Sequence, residues 1–264
     1  MFPDSNGWER ADYEALIHCA VDGQFTPEHW LMYATIESGL STKAQSRYAP
    51  AKGLWQAMPF VLKSLGFVPG NADYERVYGE FKNLSAERQI VWSLKYLEEW
   101  RKRFRLGAWK RPGDMYLCNF APAFLPYKDV PLKVIYSSQK DPITYWVNRG
   151  LDRRQNGIPL IEVKPPAKYA GEKPYVGKGH INVADMSLIL MQALLNDRYR
   201  QAIRSLNKLA QEGLNKLELG QPKLVVDGNV GPLTRAALAK FWELKNFPLS
   251  DRDLNALTRL ALLG

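Results

Sequence analysis

Eight of the seventeen prolines fall within residues 121–180, with glycines scattered among them. Proline has no backbone N–H to donate and its ring clashes with the preceding helical turn, so this stretch supports neither a long helix nor a central strand. Long ordered loops are expected there, with "LKVIYSS" (132–138) and "PLIEVK" (159–164) as short extended pieces and room for a small hairpin. The main core must then come from the segments on either side.

Those flanks carry helical punctuation. "ADYEALIHCAVDG" (11–23) ends on a glycine, and "TPEHWLMYATIE" (26–37) opens with Thr26 as cap and Pro27 at the first helical position. "PFVLKSLGF" (59–67) starts on Pro59 and stops at Gly66. "SAERQIVWSLKYLEEWRKRF" (85–104) has Ser85 as its cap and Ile90, Leu94, Leu97 and Trp100 as a buried stripe at helical spacing. Helix resumes at 182, with a break expected near 196–199. The fold class is therefore mainly α, and 264 residues suffice for one large core, alone or with a smaller one beside it.

A net charge of +9 calls for anionic surroundings, and nucleic acid, lipid headgroups and bacterial cell wall all qualify. The densest basic stretch, "EEWRKRFRLGAWKR" (98–111), interleaves its charges with Trp100, Phe104, Leu106 and Trp109, as an amphipathic helix with a solvated basic face does. No nucleic-acid-binding motif accompanies it, so a nucleic-acid partner is not expected. Cys19 and Cys118 lie far apart and form no CxxC; two free thiols are expected, with a single disulfide left open. His18, His29 and His180 make no HExxH, which argues against a zinc hydrolase. No run of eighteen apolar residues exists, and "MSLILMQALL" is interrupted by Gln192, so no membrane insertion is expected. The start, "MFPDSNGWERADYEAL", lacks the basic end and apolar centre of a signal peptide; a chain made in the cytoplasm is expected.

"ATIESGLSTKAQSRYAPAKGLWQAMP" (34–59) contains a single acid, Glu37. A glutamate that ends a helix before Ser-Gly can project into a cleft. Apolar neighbours there raise its pKa and keep it protonated near neutrality, as a general acid acting on a glycosidic oxygen requires. Gln56 could hydrogen-bond hydroxyl or acetamido groups, and Trp55 and Met58 offer apolar surface. Alone, Glu-Ser-Gly is a weak signal, because most such glutamates are solvated.

The spacing of the whole stretch resembles the signature of the soluble lytic transglycosylase and goose-lysozyme-like family of peptidoglycan glycosidases. In that family a Glu-Ser pair precedes an Ala-x-Ser segment and then Gly-Leu-x-Gln-x-x-Pro. Glu37-Ser38, Ala44, Ser46, Ala51, Gly53-Leu54, Gln56 and Pro59 fall in that order, with a slightly longer loop at "SRYAPAKG". "ERQIVWSLKYLEEW" is similar to the family helix bearing a Tyr-Leu pair, and "DMYLCNFAP" sits where the family has a Tyr-Asn element. The resemblance implies a lysozyme-like catalytic domain over 1–120, completed or flanked by a loop-rich extension over 121–195. It implies Glu37 as the catalytic acid, with Ser38, Ser46, Gln56, Met58, Tyr116 and Asn119 at the sugar. A packed core role for Tyr116 stays open.

The implied reaction is cleavage of the β-1,4 bond between N-acetylmuramic acid and N-acetylglucosamine. A transglycosylase needs one acid and is preferred. A hydrolase needs a second carboxylate, for which Asp73 and Asp114 are candidates. A wall-docking component with little or no catalysis is a further alternative. No cofactor is implied, and no metal either. "GLDRRQNGIPLIE" (150–162) is similar to a calcium loop at Asp152 and Asn156-Gly157, but Arg154 would repel the cation.

"VVDGNVGPLTRAALAKFWELKNF" (225–247) resembles the three-helix peptidoglycan-binding domain, expected over 196–264. Asp227, Gly228, Gly231, Thr234, Ala237, Leu238 and Phe241 match its pattern, with Asp227 and the glycines shaping a turn and Thr234 capping the next helix. Peptidoglycan is thus the partner implied twice. A wall enzyme without a signal peptide fits a bacteriophage protein acting in the periplasm or wall, either an endolysin or a lysin carried on the virion beside other tail or baseplate proteins. The loops of 121–180 would be the docking surface.

Overall fold

The computed structural model describes residues 2–46, 49–67, 74–153, 155, 158–219, 222–247 and 253–263, and of residues 74, 75 and 78 the backbone alone. It is mainly helical. The first half comprises α1 (Arg10–Asp22), α2 (Pro27–Ser38), α3 (Pro59–Ser64), α4 (Tyr74–Lys82), α5 (Ala86–Arg103) and α6 (Pro112–Phe120). The Thr26 side chain accepts the His29 N–H with Pro27 at the first position of α2, and Ser85 accepts the Arg88 N–H at the start of α5, as the sequence signals predict.

Six consecutive residues of α2, Trp30 to Thr35, are buried. A helix apolar on every side belongs at the centre of a fold, and α2 packs against α6, α8 (Val183–Leu190) and α9 (Asp197–Lys216). Helix α5 lies against α1 with a face rotated from the expected stripe. Its buried side is Ala86, Gln89, Ile90, Ser93, Tyr96 and Leu97, while Leu94 and Trp100 are only half-buried. Polar residues on that side explain the shift: Ser93 accepts the Trp30 indole N–H at 2.8 Å, and Gln89 is fully buried among backbone partners.

The proline-dense middle holds β1 (Val134–Ser137), α7 (Pro142–Asn148), β2 (Ile161–Val163), β3 (Tyr175–Gly177) and β4 (His180–Asn182). The strands form two separate antiparallel ribbons, β1 with β4 and β2 with β3, rather than one hairpin. The chain switches ribbons at Lys178-Gly179, where Gly179 has φ +77° and a Cβ would sit 2.7 Å from Ile161 Cδ1. The switch is fixed from beneath. Asp152 accepts the N–H groups of Lys178 (3.2 Å) and Gly179 (3.0 Å) and the Tyr145 hydroxyl (2.6 Å). The Lys178 ammonium, completely buried, lies 3.2 Å from Asp152 and 2.8 Å from Asp185. Asp152 of the calcium-like loop thus faces an internal lysine; residues 154, 156 and 157 of that loop lie outside the described set. Among the described residues no group of three or more acids, histidines or cysteines could hold a metal ion.

Asn196 breaks the long helical run by capping α9, at the position expected. As far as Leu209, this 20-residue helix buries Tyr199, Ala202, Leu206 and Leu209 in the main core. Its second half, with α10 (Pro232–Leu244) and α11 (Ala256–Leu263), builds a smaller core around Phe241. Arg259 of α11 reaches Glu28 of α2 at 2.5 Å, and Trp242 donates to Thr258 at 3.1 Å. Gly228 has φ +81°, and a Cβ there would lie 2.5 Å from the Arg204 carbonyl, so the turn and its packing both require glycine.

One local expectation is corrected here. Thr234 does not cap α10: Gly231 occupies that position, and Thr234, buried in the first turn, accepts from Gln211 at 3.3 Å. Gln211 also takes the Gly228 N–H (2.8 Å) and donates to the Asn229 carbonyl (3.0 Å), so a buried glutamine of α9 holds the turn together. Cys19 and Cys118 are both buried and unpaired, the two free thiols expected. No helix among the described residues is long and apolar enough to cross a membrane.

Candidate active site

Glu37 stands in the last turn of α2. Gly39 follows in the left-handed conformation (φ 61°) and returns its N–H to the Thr35 carbonyl at 2.8 Å, ending the helix sharply. The chain then folds back over that end. Short bridges pair Gln45 with Lys52 and Lys52 with Ala57, and Gly53 donates its N–H to the Ala44 carbonyl at 2.9 Å. Ser38 donates its hydroxyl towards the Leu54 carbonyl (2.8 Å), fastening the returning loop to the helix. From the far end of α6, Asn119 Nδ2 reaches both Glu37 Oε1 (3.1 Å) and the Trp55 carbonyl (3.3 Å). Three segments distant in sequence therefore converge on one carboxyl group.

Burial pushes the Glu37 pKa from 4.5 up to about 7, and the Asn119 hydrogen bond, which favours the charged form, opposes the shift. Among the described residues no charged side chain contributes to it. Near neutrality the group is thus divided between acid and carboxylate, the condition for donating a proton and then taking one back. Tyr33 and Tyr116 are raised by burial first and then by the nearby Glu37 charge. The Tyr33 hydroxyl donates to the Trp55 carbonyl at 3.2 Å. The Tyr116 ring packs edge-on to Tyr33 at 6.3 Å and is stacked with Phe120 at 6.2 Å.

The remaining expected residues fall around this corner in different ways. Gln56 is half-buried in a left-handed backbone (φ 51°) and donates to the Gly53 carbonyl at 3.1 Å, which stiffens the loop. Met58 is half-buried at the cap of α3. Ser46, in the outer part of the loop, accepts the Ala49 N–H at 3.1 Å. Tyr116 is 6% exposed and belongs to the core, the alternative that its sequence context left open. Trp55 is corrected. Its ring is buried and stacked with Tyr96 at 5.2 Å, so its carbonyl, and not its apolar face, serves the site. Asp227, Gly228, Gly231, Thr234 and Phe241 gather at α10 and the turn before it.

Gln89 escaped sequence reading. Its Oε1 accepts the Leu54 N–H at 2.9 Å, while Nε2 faces the carbonyls of Thr42 (3.0 Å), Phe81 (3.2 Å) and Leu84 (3.3 Å). A Cβ on Gly53 would come within 2.4 Å of that Oε1, which explains the glycine. The available signal was a glutamine in register with Ser93 and Tyr96 on one helical face.

Of the two candidate second acids, Asp73 lies outside the described residues. Asp114 is buried in the first turn of α6 and paired with Arg111 at 2.9 Å. Five hollows of about 290–470 Å³ indent the molecule elsewhere, and none of the five is lined by Glu37. Compared with known protein families, curated proteins and solved structures, the chain matches none.

Proposed function

We infer that the chain cleaves the β-1,4 bond between N-acetylmuramic acid and N-acetylglucosamine in bacterial peptidoglycan, as a lytic transglycosylase. The observation that carries this reading is a desolvated carboxyl, Glu37, with a pKa near 7, a neutral amide donor and no charged partner. In the first step Glu37 gives its proton to the glycosidic oxygen as the C1–O bond breaks. The resulting carboxylate then removes the proton from the C6 hydroxyl of the muramic residue. O6 closes on C1, and the 1,6-anhydro ring forms without water.

Several features support the reading. Asn119 holds one oxygen of Glu37, leaving the other for the substrate. Hydrolysis would call for a carboxylate acting beside Glu37 to direct water, whereas Asp114 is engaged by Arg111. The α10 turn, with its resemblance to a wall-binding module, would raise the local enzyme concentration on an insoluble substrate.

Mass analysis of fragments released from purified sacculi tests the reading. Fragments one water lighter than hydrolytic products are expected from the wild type, and Glu37→Gln should release about 10²–10⁴-fold less. Full-mass fragments would make the chain a hydrolase. Absence of release by either protein would leave a wall-docking component.

A further inference from the structure

The loop-rich middle has no part in the reaction above, yet it folds around a hollow of about 360 Å³. Trp146, Arg149, Gly150, Tyr169, Glu172 and Tyr175 line it. The Arg149 guanidinium lies over the Trp146 ring, 4.3 Å from its centroid, and donates to the Trp146 carbonyl at 2.6 Å and to Glu172 Oε2 at 3.0 Å. The same Oε2 accepts the Trp146 indole N–H at 3.0 Å. Tyr175 donates its hydroxyl to the Asp152 carbonyl at 3.2 Å, which sets the plane of its ring. The polar groups are therefore held in place by the protein, so little ordering cost remains for a ligand.

We propose that this hollow is an accessory saccharide-binding site, taking one or two pyranose rings of an N-acetylated glycan. A pyranose has an apolar face of C–H groups and a rim of hydroxyls. Half-buried Tyr169 and Tyr175 supply flat apolar walls for the face. The guanidinium fork has further N–H donors, and Glu172, 44% exposed, has a second oxygen, for the rim. Arg149 and Glu172 neutralise each other, and a further cation beside the lining, the Lys168 ammonium, lies 5.8 Å from the Tyr169 ring centroid, so among the described residues no cluster of positive charge is built for a phosphate. A neutral polar ring fits that balance. The hollow's volume lies at the small end of ligand sites, which span roughly 300–1,000 Å³. The choice of an acetylated glycan, though not the site itself, rests on the peptidoglycan reading.

The test uses the full chain carrying Glu37→Gln, so that no sugar is cleaved. It is titrated with the tetramer of N-acetylglucosamine while the Trp146 indole N–H is followed by NMR. The expected result is a saturable shift of that signal, with Tyr169→Ala and, separately, Arg149→Met weakening binding about tenfold or more. A Trp146 signal that never moves, or that moves equally in both folded variants, overturns the proposal. The two readings fail separately. Muropeptide release without a Trp146 response sinks the saccharide site alone; a Trp146 response without muropeptide release sinks the catalytic reading alone.

Discussion

Two parts of the molecule draw carboxyl groups away from water, Asp152 and Asp185 fully and Glu37 to a half-buried position, and treat them in opposite ways. Under the ribbon switch, Asp152 and Asp185 enclose the Lys178 ammonium, and Asp152 also takes two backbone N–H groups and a tyrosine hydroxyl. At the end of α2, Glu37 has one neutral amide and, among the described residues, no counter-charge. The first arrangement compensates burial and holds loops that lack regular structure. The second leaves the desolvation of Glu37 uncompensated by charge, which raises its pKa. A fold that neutralises buried acids in one place and leaves one bare in another has separated support from chemistry.

The contrast can be broken from either side. The largest effect is expected on activity: Glu37→Gln, which keeps shape and loses the proton, should lower muropeptide release about 10²–10⁴-fold in a timed sacculus assay. Next comes stability at the other cluster. Lys178→Met strands two buried carboxylates and should cost about 3–5 kcal/mol in a urea denaturation series, while the pH profile of the remaining activity keeps its wild-type shape.

The third effect is a gain. A carboxyl whose folded pKa is raised stabilises the fold fully below its unfolded value of 4.5 and loses that contribution as pH rises through about 7. Glu37→Gln should therefore be more stable than the wild type above pH 7, by about 3 kcal/mol for a shift of this size. The advantage should shrink as pH falls towards 4.5. Equal stability across that range would mean that Glu37 is well solvated. The smallest effect belongs to Asn119→Ala. Removing the donor that favours the charged form should move the alkaline limb of the kcat/KM profile to higher pH. The rate change should stay within about tenfold, the scale of one net hydrogen bond.

Local chemistry was legible in the sequence; long-range polar burial was not. Thr26-Pro27, Ser85 and Asn196 mark helix starts because capping needs only a few neighbouring residues. The pairing of β1 with β4 across the proline-dense middle depends on contacts that no short window contains. Gln89, Lys178 and Gln211 look like surface residues by type, yet all three are buried and their side chains hold loops by the loops' backbone groups. At the site, the place of Glu37 at the end of α2 was legible in the sequence. Its bond to Asn119 depends on how α2 and α6 pack. Trp55 shows the reverse error: an aromatic suited to a sugar face is spent on the core, and its carbonyl does the local work.

The account turns on the protonation of one side chain. A ¹³C NMR titration of the Glu37 carboxyl carbon, assigned by comparison with Glu37→Gln, measures it directly. A midpoint near pH 7 is predicted; a midpoint near the ordinary 4.5 would contradict the account, because no proton would then be held for the glycosidic oxygen.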